Sequence, residues 1–346
     1  MPVDELTDQP DPADDDLDEL VARADLDALV RLVDARTESR DWAGLLRCRD
    51  RARAAVATGR QLWPVATLAE YRLVLHGSTD WAARVLDEES GRFSIGPLTE
   101  VAAQRHRWAE LRTYLRPGPV SAMVAHECAV RGAGPTEDDE LLAQCPNPLE
   151  IPYVLSPWEP AYPTATYSDD GIDAPAPDPV ASHRFTPAWF PLDAAVVKDR
   201  EADHAWRDLV SPWTTASNGR AQTVAVEGDA PMALRALGLP EDRTTIARLR
   251  TGEALRWLAW AGASGGAHGR RRGAAAGRFA VWHLVAALGG LGPNWSADDD
   301  LGAIADELQW FWYSTSEPML GWHLSIAVHD PEDGLAWAIQ ASDARF

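Results

Sequence analysis

Apolar residues recur at intervals of three and four between Leu17 and Gly132: Leu26, Leu29, Leu32 and Val33, then Trp42, Leu45, Leu46 and Val56. That is the period of an α-helix with one buried face. Gly59, Gly77, Gly96 and Pro117 interrupt it, so the pattern predicts several short helices rather than one long rod. Asp41 and Asp80 stand immediately before Trp42 and Trp81, where a carboxylate can accept from the first free amides of a helix. Asp-Trp-Ala at 41 and 80, with Arg-Trp-Ala at 107, makes a faint repeat. Spacings of 39 and 27 are too uneven for a strict solenoid, but they suit stacked helical hairpins in which each tryptophan wedges against the previous one. Such a unit, residues 17–133, would offer a surface to a protein partner.

The pattern stops at 134–183, where ten of the 25 prolines fall. From Asn147 to Tyr167 they alternate with Ile151, Tyr153, Leu155, Trp158 and Tyr162, which predicts an extended strap anchored on a surface. Ser168 to Pro179 lacks such anchors and is expected to be mobile. Beyond it the signals mix: a helix over 200–209, an Asn218-Gly219 turn, a strand over 222–227 and a short helix over 232–237. Residues 246–249 suit either state. Three helices are predicted over 253–261, 273–288 and 298–313, the last opened by Ser296 and Asp299 as a capping pair. A hairpin of 322–328 and 335–341 ends the pattern. The expected fold is mainly α: an N-terminal helical-hairpin, repeat-like domain, then an α+β domain over 184–346 with a small antiparallel sheet.

Charge changes this picture in one place. The total is −21, which excludes a general affinity for nucleic acid or an anionic membrane. Residues 1–27 carry −10 and residues 294–346 carry −9, whereas residues 243–293 hold eight arginines against Glu253 alone, a strip of +7. Residues 1–16, rich in aspartate and proline, are expected to be a disordered tail. Cys48, Cys128 and Cys145 are odd in number and form no CxxC, so neither a disulfide framework nor a zinc site is indicated. The longest apolar run, Phe279 to Leu291, falls short of the roughly 20 residues a membrane helix needs. With no signal-peptide pattern at the start, a cytoplasmic protein is expected.

The basic strip contains a loop between two predicted helices, Trp260-Ala-Gly-Ala-Ser-Gly-Gly-Ala-His-Gly-Arg-Arg-Arg-Gly-Ala-Ala-Ala-Gly277. Glycine-rich backbone, the amino end of the following helix and clustered guanidinium groups together make an anion site. Its candidate members are Ser264, Gly265, Gly266, His268, Arg270, Arg271, Arg272 and Arg278, and its ligand a phosphate or carboxylate. No Gly-Lys-Ser/Thr ending and no GxGxxG after a strand is present, so neither a P-loop nor a dinucleotide fold is licensed. The alternative is structural. Gly269, Gly273 and Gly277 would let a second helix approach closely, and the arginines would face the acids at 298–300, 306 and 307.

Gly262 to Gly266 also fits GxSxG, with Ser264 as nucleophile and His323 or His329 beside Asp330 as partners. That elbow must follow a strand, and Ala254 to Ala263 reads as helix. Asn218, Arg220, Glu227 and Asp229, around the turn and strand of 218–229, are secondary candidates, though local side-chain to backbone bonds explain such a turn. His126-Glu127 is not HExxH, because Val130 occupies the fifth position. The nine histidines show no metal-ligand spacing, so no metal and no cofactor are expected.

Three stretches carry a resemblance: Trp257-Leu-Ala-Trp-Ala-Gly-Ala-Ser-Gly-Gly-Ala-His-Gly-Arg-Arg-Arg-Gly273, Arg49-Asp-Arg with Gln61-Leu-Trp-Pro, and Pro157-Trp-Glu-Pro-Ala-Tyr162. In them the chain resembles an uncharacterised family of actinobacterial proteins of unknown function. The resemblance implies no activity, ligand or catalytic residue. The sequence therefore predicts a non-enzymatic cytoplasmic binding or regulatory protein, with a helical protein-interaction surface and an anion-binding Gly/Arg loop. The alternative is an enzyme acting on a phosphorylated or nucleotide-like molecule held at that loop.

Overall fold

A computed structural model describes residues 12–87, 96–177, 183–191, 195–315 and 321–344. The expected disordered tail lies outside them up to residue 11, and from Pro12 onward the chain is already helical. Eight helices follow one another among the described residues: α1 (Pro12–Arg23), α2 (Leu26–Glu38), α3 (Trp42–Ala57), α4 (Trp63–His76), α5 (Thr79–Leu86), α6 (Leu98–Arg105), α7 (Trp108–Leu111) and α8 (Pro119–Val130). α4 is buried on nearly every side and packs on α2, α3, α5 and α6. A helix that is apolar all round belongs in the middle of a bundle. Leu29, Val33, Leu45, Val65, Leu73, Val74, Val85 and Val101 join in one core around it.

Asp25 and Asp41 cap α2 and α3, accepting from Ala28 N–H at 3.1 Å and Gly44 N–H at 2.9 Å. Asp80 does not cap α5; Ser78 precedes that helix, and Asp80 sits inside its first turn, where a negative charge suits the helix dipole. Trp42 and Trp81 pack at the edge of the core. Trp108 is buried, and its indole N–H donates to the Asp139 carboxylate at 2.8 Å.

The proline-rich segment is anchored in two places at once. Ile151 and Tyr162 enter the core of the C-terminal unit, while Ala165 and Tyr167 enter the helical core. Residues 168–173, expected to be mobile, complete a hairpin of β1 (Thr166–Ser168) and β2 (Gly171–Asp173). The Tyr71 hydroxyl holds it by donating to the Ser168 carbonyl at 2.7 Å, and Asp169 pairs with Arg72 and His76 of α4. Those partners lie about a hundred positions upstream, which is why local composition gave no sign of them.

The remaining strands are β3 (Thr186–Pro187), β4 (Ala195–Val197), β5 (Arg220–Glu227), β6 (Thr244–Leu249), β7 (Gln309–Thr315), β8 (Trp322–Asp330) and β9 (Leu335–Asp343). They form one antiparallel sheet in the order β3-β6-β7-β8-β9-β5-β4. Side chains alternate between its faces. Leu324, Ile326 and Val328 of β8 and Trp337, Ile339 and Ala341 of β9 face one core, shared with α9 (Arg200–Leu209), α12 (Thr251–Ala263) and α13 (Ala274–Leu288). Ala327, Ala336 and Ala338 face the other, where α11 (Ala230–Ala236) lies close because those side chains are small.

The helix predicted over 298–313 is a correction: α14 covers only Leu301–Glu307, and Gln309 to Thr315 is β7. Trp310 and Trp312 point to the first core, Phe311 and Tyr313 to the second. A short aromatic run satisfies both the helical and the strand period, and pairing with β6 and β8 decides for the strand. Among the described residues, no helix is long and apolar enough to cross a membrane.

The expected glycine face is corrected too. α13 begins at Ala274, so Gly269 and Gly273 lie in the loop before it. The close approach is instead between Gly262 of α12 and Gly277 of α13. A Cβ at Gly277 would run into the Ala259 carbonyl oxygen. Gly277→Ala is therefore expected to destabilise by about 1–3 kcal/mol through overpacking, although alanine is the better helix former. Urea denaturation reads this directly. An unchanged or raised midpoint would mean that the two helices are not in backbone contact.

Candidate functional site

The loop from Ser264 to Gly273 folds back on itself. Arg272 N–H bonds to the Ala263 carbonyl at 2.8 Å, and the backbone of Gly265 lies against that of Gly269 and Arg270. Gly266 and Gly273 have φ of +71° and +98°, which glycine adopts without strain. Ala267 N–H donates to the Asp343 carboxylate at 2.5 Å, and His268 N–H to the Ser217 hydroxyl at 3.1 Å. The loop is thus pinned to the end of β9 and to the turn before β5.

Its arginines divide into inward and outward groups. Arg271 donates Nε and Nη2 to the two oxygens of Glu100, both at 2.8 Å. Glu100 also accepts from the Tyr167 hydroxyl at 2.6 Å and from Ala274 N–H at 3.2 Å, with Arg131 at 3.9 Å. Glu127 of α8 is fully buried beside it, against Gly273. Two carboxyl groups from the helical unit therefore occupy the amino end of α13, the position where a helix favours an anion.

Their protonation differs. Burial pushes Glu100 toward the neutral form, but hydrogen bonds and charge from Arg271, with Tyr167 and Arg131, hold its pKa below the usual range. Burial, with the charge of Glu100 second, raises that of Glu127 well above it. Of the two, Glu127 is the one whose surroundings favour the protonated form.

Arg278, fully buried in α13, makes the second inward pair. Nε and Nη2 donate to the oxygens of Glu159 at 2.7 and 2.8 Å; Nη1 and Nη2 donate to the carbonyls of Pro152 and Val154 at 2.7 and 3.0 Å. Glu159 also accepts from the Trp282 indole at 2.8 Å, the Tyr162 hydroxyl at 3.0 Å and Ser156 N–H at 2.7 Å. The Pro157-to-Tyr162 motif thus supplies a carboxylate socket for one guanidinium.

A family model described as "Family of unknown function (DUF6183)" matches residues 27–345. The chain belongs to the DUF6183 family. No curated protein and no solved structure matches it. The match takes in the helical unit, the strap and the sheet, and so every member of the two inward pairs.

Two of the acids expected to face the arginines are engaged locally instead. Asp300 caps α14 by accepting from Ala303 N–H at 3.0 Å, and Asp299 accepts from Ser296 N–H at 2.7 Å. Charge tallies along the chain could not reveal Glu100, because its position follows from how α6 packs. Glu159 did lie in a marked motif.

Of the outward group, Arg272 donates to the Asp208 carbonyl at 3.0 Å. His268, Gly269 and Arg270 line an open groove of about 430 Å³ with Ser211, Pro212, Thr215 and Ala216. Ser264 follows a helix, not a strand, and its hydroxyl accepts from Gly266 N–H at 3.1 Å. His323 lies instead against Trp257 and Trp312. The secondary candidates do not converge: Arg220 and Glu227 stand at opposite ends of β5, Asn218 lies before it, and Asp229 caps α11 through Met232 N–H at 3.1 Å.

Two further groupings had no sequence motif. His183 and Glu253 form a 3.0 Å pair in a cleft of about 660 Å³ with Arg248, Arg250, Thr251 and Asp306. The hydrogen bond from Arg250 brings Glu253 to a pKa of about 2. His204 and Asp208, one turn apart on α9, meet His283 of α13. Burial lowers the pKa of His283 and keeps its ring neutral at physiological pH.

Arg271→Ala would leave Glu100 charged, buried and unpaired, and should cost about 3–5 kcal/mol in chemical denaturation, against less than about 0.5 kcal/mol for exposed His268→Ala. Comparable losses would show that the pair is not structural. For Glu127 the folded state keeps a proton that the unfolded chain releases above about pH 4.3, so this residue lowers stability as pH rises from there toward its folded pKa. Glu100 acts oppositely: its contribution is present above the unfolded value and lost as pH falls through the depressed folded one. Glu127→Gln should raise the melting temperature at about pH 7.5 and leave it nearly unchanged at about pH 4. Parallel pH profiles for the two proteins would refute this.

Proposed function

We propose that this chain is a binding protein whose Gly/Arg loop has two jobs. Its inward arginines tie the helical unit and the strap to α13, and its outward edge, His268 to Arg270, receives a small anionic ligand. One observation carries the reading: His268, Gly269 and Arg270 border an open groove beside the Ser211 and Thr215 hydroxyls. A protein-binding role for the helical unit rests on less. Its exposed large apolar side chains among the described residues are Leu26, Val56 and Tyr114, which do not make a run. Cys48, Cys128 and Cys145 form no disulfide among the described residues, which suits action in a reducing cytoplasm.

A second reading, an enzyme acting on a phosphorylated small molecule, is favoured by a different place than the loop. In the 183–253 cleft a carboxylate orients a histidine whose other nitrogen has no hydrogen-bond partner among the described residues, beside two arginines that would suit an anionic substrate.

A thermal-shift series with inorganic phosphate, nucleotides and sugar phosphates separates the two. A ligand at 100 times its Kd should add about 2.7 kcal/mol. Loss of the shift in His268→Ala/Arg270→Ala, with retention in His183→Ala, supports the loop; the reverse pattern moves the site to the cleft. No shift with any of these anions overturns the anion-binding reading.

A further inference from the structure

His204 and Asp208 stand at positions i and i+4 of α9 and so project from the same helical face. α13 packs along α9 and brings His283 opposite them. One ligand atom from each of the three lies within 4.8 Å of the others, and His204 Nδ1 is already 3.8 Å from an Asp208 oxygen. In a tetrahedron with metal–nitrogen bonds of about 2.0 Å, donor atoms are roughly 3.3 Å apart. The gap is a small rotation of side chains, and His204 and Asp208 are exposed enough to make it.

The two imidazoles are otherwise unusual. Their rings meet edge to face, with centroids 6.3 Å apart, and His204 Nδ1 stays beyond hydrogen-bond reach of Asp208 at 3.8 Å. The His283 ring is clamped by Phe279, stacked at 6.1 Å, and by Trp295 at 6.4 Å. A cation between the two rings would take a nitrogen lone pair from each. His204 and His283 also line a cavity of about 300 Å³ with Arg200, Glu201, Pro293 and Trp295.

We infer that His204, Asp208 and His283 hold a divalent first-row transition-metal ion with open coordination positions toward this cavity. Two imidazoles and one carboxylate are a donor set for Zn²⁺, Fe²⁺, Co²⁺ or Ni²⁺ and a poor one for Mg²⁺ or Ca²⁺, which take oxygen. Three protein donors leave room for water or for one end of a bound molecule, as in sites that do chemistry rather than only brace a fold. Arg272 hydrogen-bonds to the backbone carbonyl of Asp208, the residue that would supply the carboxylate ligand. Glu201, on the cavity wall with Arg200, completes the charged surroundings. The site is separate from the 268–270 groove, and the inference stands whether or not that groove binds an anion.

The test uses the full chain stripped with chelator and titrated calorimetrically with Zn²⁺ and Mg²⁺, alongside visible absorption with Co²⁺. One equivalent of Zn²⁺ should bind, Mg²⁺ should not, and Co²⁺ should give a ligand-field band. His204→Ala and Asp208→Ala should each weaken Zn²⁺ at least about tenfold, since even changes outside the ligand set commonly cost that much. Both residues are exposed, so the variants should melt like wild type when metal-free. His329→Ala, outside the cluster, should bind as wild type does. The inference is overturned if wild type binds no Zn²⁺, if both ligand variants bind it unchanged, or if His329→Ala abolishes binding.

Discussion

Arg271 and Glu100 sit at the centre of everything else in this protein. The guanidinium comes from a loop of the C-terminal unit, the carboxylate from α6 of the helical unit, and both are buried. Taking such ions out of water costs several kcal/mol each, so a pair of this kind persists only where every donor and lone pair is met. Here Tyr167 of the hairpin, Ala274 at the start of α13 and Arg131 after α8 complete the set. The net gain over a packed apolar contact is small. What the pair does provide is a single permitted arrangement, because any shift between the units strands a buried charge.

The second pair repeats the device within α13 itself, one turn past the Ala274 amide that donates to Glu100. Arg278 is enclosed by Glu159 and by carbonyls of the strap, and the same carboxylate anchors Trp282 and Tyr162. α13 is therefore gripped on one side by α6 and α8 and on another by the proline-rich segment. Its remaining side packs on α12 through Gly262 and Gly277 and on α9. That last contact is what sets His283 opposite His204 and Asp208. Structural ion pairs and candidate ligands thus share one helix, with Arg272 beside both.

Much of the architecture was legible in the chain. The three-and-four spacing gave the helical bundle, and alternation gave β5, β8 and β9. Aromatic residues at 309–315 were misleading, because over seven positions a buried strand and a helix look alike until neighbours are known. The Gly/Arg loop was recognised as a place built for carboxylate or phosphate, and two of its arginines do hold carboxylates. Those carboxylates are the chain's own, from positions 100 and 159. Of the acids nearer in sequence, Asp299 is spent on a turn and Asp300 on a helix cap.

The sequence by itself determined most of the helices and the long C-terminal hairpin, because periodicity and turn residues act over a few neighbouring positions. It also determined that a dense cluster of guanidinium groups must find anions somewhere, because burying them unpaired is prohibitive. Only the tertiary structure decided which anions those are, which arginines face outward, and that His204, Asp208 and His283 meet. Electrostatic and ligand partners are chosen by distance in space, and the packing that sets those distances joins residues far apart along the chain.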